Sequence, residues 1–183
     1  MPLKTLITIL NITSIKHILN SSGISNYTDS QLDMVRLGIG LYGISNDETE
    51  QKYLENVSTL KSVISQIKTI KPNESVGYGR KFMAQEITKT ATIPIGYADG
   101  ISRLWGNGLG YVMINNQKAT ILGSICMDMM MVDITSIDCE EGDEVIVFGT
   151  QPTLNEIAKT TQTIAYEVIA GISQRVKRIF YRA

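Results

Sequence analysis

The sequence predicts a mostly β fold with minor α: a closed barrel or sandwich with a small helical cap, preceded by a short segment of different character. Two observations carry this. Short runs rich in Ile, Val and Thr, punctuated by Gly and Asn turns, recur from Val63 to Phe148. The one strong helix signal, a capping box with Thr153 as N-cap and Glu156 three positions on, comes only after them.

Ser14 to Leu19 reads as a short helix, Asn20-Ser21-Ser22-Gly23 as a polar turn, and Met34 to Tyr42 as a strand buried on both faces. Arg36 inside that run then requires a buried partner, because an unpaired charge there is costly. The polar stretch Ser45 to Gln51 marks a boundary, dividing the chain into 1–45 and 46–183. Beyond it, Val63 to Ile70 reads as strand up to Pro72-Asn73. Ala91, Ile93 and Ile95 alternate with Thr90, Thr92 and Pro94 as a half-buried strand stopping at Gly96. Tyr111 to Ile114 and Ala119 to Leu122 flank Asn115-Asn116, a hairpin turn because Asn tolerates positive φ. Ile125 to Ile134, Val145 to Phe148 and Val176 to Tyr181 complete the strands, and a second short helix spans Tyr166 to Ile169, closed by Gly171.

Composition excludes several function classes. The chain has 183 residues, a net charge of −1, a pI of about 5.9 and 43% hydrophobic residues, an ordinary globular balance. That balance lacks the cationic excess a nucleic-acid surface needs. The apolar start Leu3 to Leu10 is too short and too interrupted to span a bilayer and has no cleavage site after it, so no membrane role is expected. Two cysteines, Cys126 and Cys139, suit a reducing, cytoplasmic setting. The single histidine, His17, rules out a multi-His metal site, and no metal is expected.

Taken residue by residue, few positions suggest chemistry. Gly77-Tyr78-Gly79-Arg80 sets a tyrosine between glycines with a cation nearby, an arrangement that exposes a phenol and can lower its pKa; the plainer reading is a turn with a half-buried aromatic. Gly96-Tyr97-Ala98-Asp99-Gly100 is either a second placed tyrosine or a strand end whose Asp caps a turn. The methionines after Cys126 are either an adaptable surface, core, or a subunit interface.

The order of the segments says more. Asn20-Ser21-Ser22-Gly23, Met34-Val35-Arg36-Leu37-Gly38-Ile39-Gly40-Leu41-Tyr42-Gly43 and Ser75-Val76-Gly77-Tyr78-Gly79-Arg80 come first. Pro94 to Gly100, Cys126-Met127-Asp128, Met131-Val132-Asp133, Gly142-Asp143-Glu144-Val145 and Ile164-Ala165-Tyr166-Glu167 follow. From about Lys16 to Tyr181 this series resembles the C-terminal half of the alanine racemases, which interconvert L- and D-alanine, a peptidoglycan precursor, with pyridoxal 5'-phosphate.

The resemblance implies that residues 1–45 are a remnant of the last strands of a (β/α)8 barrel and 46–183 the C-terminal β-domain. It implies two-base α-proton exchange on a pyridoxal-phosphate aldimine, with Tyr78 as the base acting on L-alanine and the cofactor lysine as the other. Met127 and Tyr97 match substrate contacts. Ser21, Gly38, Ile39 and Tyr166 match phosphate contacts, and Arg36 matches the arginine facing the pyridine nitrogen. Tyr78, Tyr97 and Met127 would serve a partner subunit's site, which implies a head-to-tail homodimer. The family's cofactor lysine, with its Ala-x-Ala-Tyr-Gly context, has no counterpart in this chain, nor do the barrel's substrate arginine and ring-stacking histidine, so the chain alone is expected to be inactive and to require an N-terminal barrel. Ala165 stands where the family usually has Asn. The alternatives are a catalytically inert domain pairing through the Tyr78/Met127 face, or a related racemase or decarboxylase with another substrate.

Overall fold

The computed structural model describes residues 13–181 together with Thr5, Ile9 and Leu10; most of the apolar run Leu3 to Leu10 lies outside the described residues. The chain divides into two compact units, 1–55 and 56–183. The division falls beyond the polar stretch that the sequence marked. Glu50 explains why, since its carboxylate accepts the hydroxyls of Ser25 and Ser45 and so binds that stretch to what precedes it.

The first unit departs from expectation in three places. Ser14 to Leu19 is not helical; His17 makes an isolated parallel bridge with Met34. The polar turn is instead a helix start. Asn20 caps α1 (Ser21–Asn26) by accepting the Gly23 N–H, because a short amide side chain satisfies a first-turn donor better than water can once Ser21 and Gly23 are buried. Met34 to Tyr42 forms no buried strand. Its second half is a 3-10 turn, Ile39–Tyr42, closed by Gly43 in the left-handed region at φ 72°, and only Ile39 is buried. Gly38 and Gly40 within the run, and Gly43 after it, favour turns over a ladder, and tertiary context overrides the apolar pattern. Arg36 is accordingly exposed, and a guanidinium nitrogen donates to the Ile18 carbonyl at 3.2 Å rather than to a buried anion. A four-residue helix, α2 (Glu48–Gln51), ends this unit's regular structure, with Asp47 as its cap.

The second unit is a seven-stranded sheet in the order β1-β9-β6-β7-β8-β5-β2, antiparallel at every pairing, plus a small β3-β4 ribbon. Its strands are β1 (Leu60–Val63), β2 (Gln66–Ile70), β3 (Ser75–Val76), β4 (Phe82–Met83), β5 (Thr88–Ile93), β6 (Tyr111–Ile114), β7 (Gln117–Leu122), β8 (Met130–Asp133) and β9 (Glu144–Phe148). The two ends of the order, β1 and β2, are consecutive in the chain. Only Ile64 and Ser65 part them, so the sheet curls until its ends share one bent segment.

The core is aliphatic: Ile93, Val112, Ile114, Ile121, Met130, Val132, Val145 and Val147 are fully enclosed. Each such side chain contributes about 1.5–3 kcal/mol by leaving water. β5, between β8 and β2, is more enclosed than its alternation suggests, since Thr90 is buried too and its hydroxyl donates to the Lys68 carbonyl. The Asn115-Asn116 turn is as expected, with φ 48° and 61° joining β6 to β7. Ile125 to Met129 is irregular and only Met130–Asp133 is strand, while Val176 to Tyr181 forms no strand at all. Two helices, α3 (Leu154–Thr160) and α4 (Ala165–Ala170), pack on each other; Thr153 and Glu156 make the capping box that starts α3, and Gly171 ends α4.

Candidate active site

Tyr78 opens a 3-10 turn, Tyr78–Arg80, that follows β3. Gly77 and Gly79 have φ 74° and 71°, values an L side chain rarely adopts, and a β-carbon on Gly77 would meet Met131 Cε at 3.3 Å and the Ser124 carbonyl oxygen at 3.4 Å. The glycines therefore let the chain turn tightly against the sheet and throw the tyrosine outward. Tyr78 is 76% exposed, so the half-buried reading is set aside.

Beside it lies the irregular loop that precedes β8. Gly77, Tyr78, Cys126, Met127, Asp128 and Met129 line one open cleft of about 360 Å³. The methionine run divides its labour: Met130 is wholly buried, whereas Met127 and Met129 stand out from the surface at 53% and 43% exposure. Two of the expected site residues, Tyr78 and Met127, thus meet.

Tyr97 joins them through the backbone. It begins a 3-10 turn, Tyr97–Asp99, whose N–H groups face the methionine loop: Tyr97 donates to the Cys126 carbonyl and Ala98 to the Met127 carbonyl, both at 3.0 Å. The Asp99 carboxylate accepts the Gly96 N–H at 2.8 Å, so Asp99 does cap the turn as the plainer reading held. The same buried carboxylate accepts Arg175 Nε at 2.7 Å, and the other arm of that guanidinium reaches Asp128. These two bonds push the Arg175 pKa up, the Asp99 bond most, and fix its charge. Arg103 lies 6.0 Å from the Tyr97 ring centroid.

The Arg175 fork was not read from the sequence, which offered Asp99 only as a turn cap and Asp128 only as part of the Cys-Met-Asp segment. Arg175 lies 76 residues from one partner and 47 from the other, and no local pattern marks such a pair.

Tyr166 is the second residue of α4 and is 39% exposed; Ala165 before it is buried. In the first unit Ser21, Gly38, Ile39 and Gly40 come together. The Ser21 hydroxyl oxygen accepts the N–H groups of Gly38 at 2.8 Å and Gly40 at 3.3 Å, which leaves the hydroxyl hydrogen to donate. A β-carbon on Gly40 would lie 2.9 Å from Leu37 Cδ1, so the loop is tight as well as donor-rich. With both glycine N–H groups spent on the Ser21 oxygen, the hydroxyl hydrogen is the donor this arrangement can offer to a phosphate group. Arg36 is in the same unit, exposed and always charged.

Residues 57–180 match the alanine racemase C-terminal domain family. The chain is 44% identical over 178 residues to alanine racemase 2 of Caldanaerobacter subterraneus subsp. tengcongensis, covering 93% of this chain and 45% of that protein. Among solved structures it is similar to the alanine racemase of Clostridium difficile 630 in complex with cycloserine, at 39% identity and TM-score 0.85, covering 94% of this chain and 47% of that one. It is also similar to the Bartonella henselae enzyme with covalently bound pyridoxal phosphate, at 33% identity and TM-score 0.86, covering 97% and 50%. The chain spans about half the length of the relatives it matches. The match of residues 57–180, more than half of the chain, to that family's model places the chain in the alanine racemase family, as its C-terminal portion.

Proposed function

We propose that this chain supplies the C-terminal half of a pyridoxal-phosphate-dependent alanine racemase that interconverts L- and D-alanine in the cytoplasm. Residues 1–45 are read as the last part of the cofactor-holding (β/α)8 barrel and 46–183 as the β-domain. The observation that carries the reading is Tyr78: an exposed phenol on a turn that two positive-φ glycines make possible, sharing one cleft with Met127.

Racemisation needs a proton acceptor on one face of the substrate's Cα and a donor on the other. Tyr78 takes or returns the proton on the face it reaches, and the lysine that anchors the cofactor serves the opposite face. That lysine belongs to the barrel portion of relatives and has no counterpart in this sequence. Pyridoxal phosphate, covalently bound in the Bartonella henselae relative, supplies a sink for the electron pair left at Cα. Ser21, the backbone at Gly38 and Ile39, and the Tyr166 hydroxyl would hold its phosphate, and Arg36 would serve its pyridine nitrogen. A guanidinium only donates, so Arg36 there would leave the ring a weak electron sink, suited to proton exchange. The Met127 main chain binds the substrate carboxylate and Tyr97 lines the entrance. Tyr78, Tyr97 and Met127 act in the partner subunit's site, which makes the enzyme a head-to-tail homodimer. Cys126 and Cys139 are both free thiols, in keeping with a reducing compartment.

The test is reconstitution. Combined with the N-terminal half of a 40%-identical relative such as that of Helicobacter pylori, the chain should restore conversion of L- to D-alanine, and Tyr78→Phe should remove most of it. Association without turnover, in the presence of pyridoxal phosphate, would instead favour an inert pairing domain; equal activity of Tyr78→Phe and parent would reject the role given to the phenol.

A further inference from the structure

We infer that Arg175 is a positioning residue that locks the Tyr97 turn and the Met127 loop into one body. The use made of those two segments rests on the function proposed above; the lock itself rests on geometry alone.

Three features bear on it. First, Asp99 is the buried end of an ion pair: its carboxylate is 10% exposed, one oxygen accepts Gly96 N–H at 2.8 Å and the other accepts Arg175 Nε at 2.7 Å. A carboxylate so enclosed is costly to bury without a partner, and the Arg175 guanidinium is that partner. Second, the same guanidinium reaches Asp128, the residue after Met127, on the far side of the contact. One planar fork therefore spans both segments, which a lysine's single ammonium group cannot do in the same geometry. Third, the two segments are already joined by the Tyr97 and Ala98 N–H groups on the Cys126 and Met127 carbonyls, and Gly96 leaves no room between them. Arg175 is itself anchored from behind: the Ser173 N–H donates to the Asp99 carbonyl at 3.0 Å and the Arg175 N–H to the Ser173 hydroxyl at 3.4 Å. The segment after α4, outside any regular element, thus acts as a strap over the cleft wall.

The Arg175 side chain bonds Asp99, which ends the Tyr97 turn, and Asp128, which follows Met127, so its effect is on where Tyr97 and Met127 sit and not on proton transfer. Loss of the fork should therefore raise KM for alanine more than it lowers kcat.

Hydrogen–deuterium exchange on the whole chain reads the lock directly. In Arg175→Leu the Tyr97 and Ala98 amides should exchange at least about tenfold faster than in the parent, with the β6-β7 hairpin amides unchanged. Arg175→Lys should restore part of that protection. Unchanged exchange at Tyr97 and Ala98, or acceleration shared equally by the hairpin, would overturn the lock. If Arg175→Leu does not fold, Asp128→Asn, which alters only the exposed arm, should still speed the Ala98 amide by about threefold, and no change there would overturn the lock equally. In the reconstituted racemase, Arg175→Lys should raise KM for alanine by about three- to tenfold with kcat within about twofold, and an unchanged KM would remove its bearing on the substrate. If the parent reconstitution gives no turnover, the functional reading fails while the exchange result decides the lock independently.

Discussion

Gly96 lies so close to Cys126 that a β-carbon on the glycine would stand 2.3 Å from the Cys126 carbonyl oxygen, and 2.4 Å from that of Met127. Its φ is −147°, ordinary extended backbone, so the demand for glycine at this position is steric and not conformational. The close approach lets the Tyr97 and Ala98 N–H groups reach the methionine loop.

Gly96→Ala should therefore destabilise the second unit by about 1–3 kcal/mol, the usual cost of overpacking. Gly108→Ala offers the contrast, since nothing lies within 4 Å of its β-carbon but its φ is +82°. That change should cost about 1–2 kcal/mol from backbone strain alone. Urea unfolding curves of both variants check the pair, and only Gly96→Ala should alter KM in the reconstituted enzyme.

Tyr78→Phe removes one hydroxyl from a side chain that is 76% exposed. Its stability should stay within about 0.5 kcal/mol of the parent. L-alanine turnover in the reconstituted enzyme should fall by at least about a hundredfold, as expected on losing a proton-transfer group. A thermal melt run beside the polarimetric assay separates the two effects.

Features fixed by neighbouring residues were legible in the sequence, and those fixed by distant partners were not. The hairpin at Asn115-Asn116 and the capping box at Thr153 follow from local chemistry, and each is a short-range statement; spacing alone favoured a half-buried Tyr78, and its exposure came from the fold. Met34 to Tyr42 misled because apolar composition cannot tell a buried strand from a turn braced by a serine; the Ser21 hydroxyl that gathers Gly38 and Gly40 is a contact across 17 and 19 residues. Val176 to Tyr181 has strand composition but no ladder partner among the described residues. The Arg175 fork was illegible for the same reason: its meaning resides in two distant carboxylates.

The capping box offers a simpler check. Thr153 accepts the Glu156 N–H at 3.1 Å while the Glu156 carboxylate accepts the Thr153 N–H at 2.7 Å. Thr153→Ala should cost about 1 kcal/mol, and Thr153→Ser should recover most of it. Paired denaturation midpoints measure both.

The first unit should be acid-sensitive. Hydrogen bonds from Ser25 and then Ser45 hold the Glu50 carboxyl below its ordinary pKa; the Thr49 hydroxyl does the same for Asp47, and the Lys16 N–H for Asp33. A carboxyl whose folded pKa is depressed adds stability above its unfolded pKa of about 4, and that stability is lost as pH falls through the folded value. Amide exchange in α1 should quicken, relative to the intrinsic rate, as pH is lowered from 5 towards about 2. Glu50→Gln should flatten that dependence, and an unaltered profile would show that Glu50 does not couple α1 to the 45–50 stretch.

The curled sheet has a further consequence for handling. Its terminal strands, Leu60–Val63 and Gln66–Ile70, are four and five residues long, and each carries a lysine, Lys61 and Lys68. Short, cationic rims make poor templates for strand addition from a neighbouring molecule. Concentrated samples of the β-domain should stay dispersed and give no thioflavin signal, even though its interior is rich in Ile and Val.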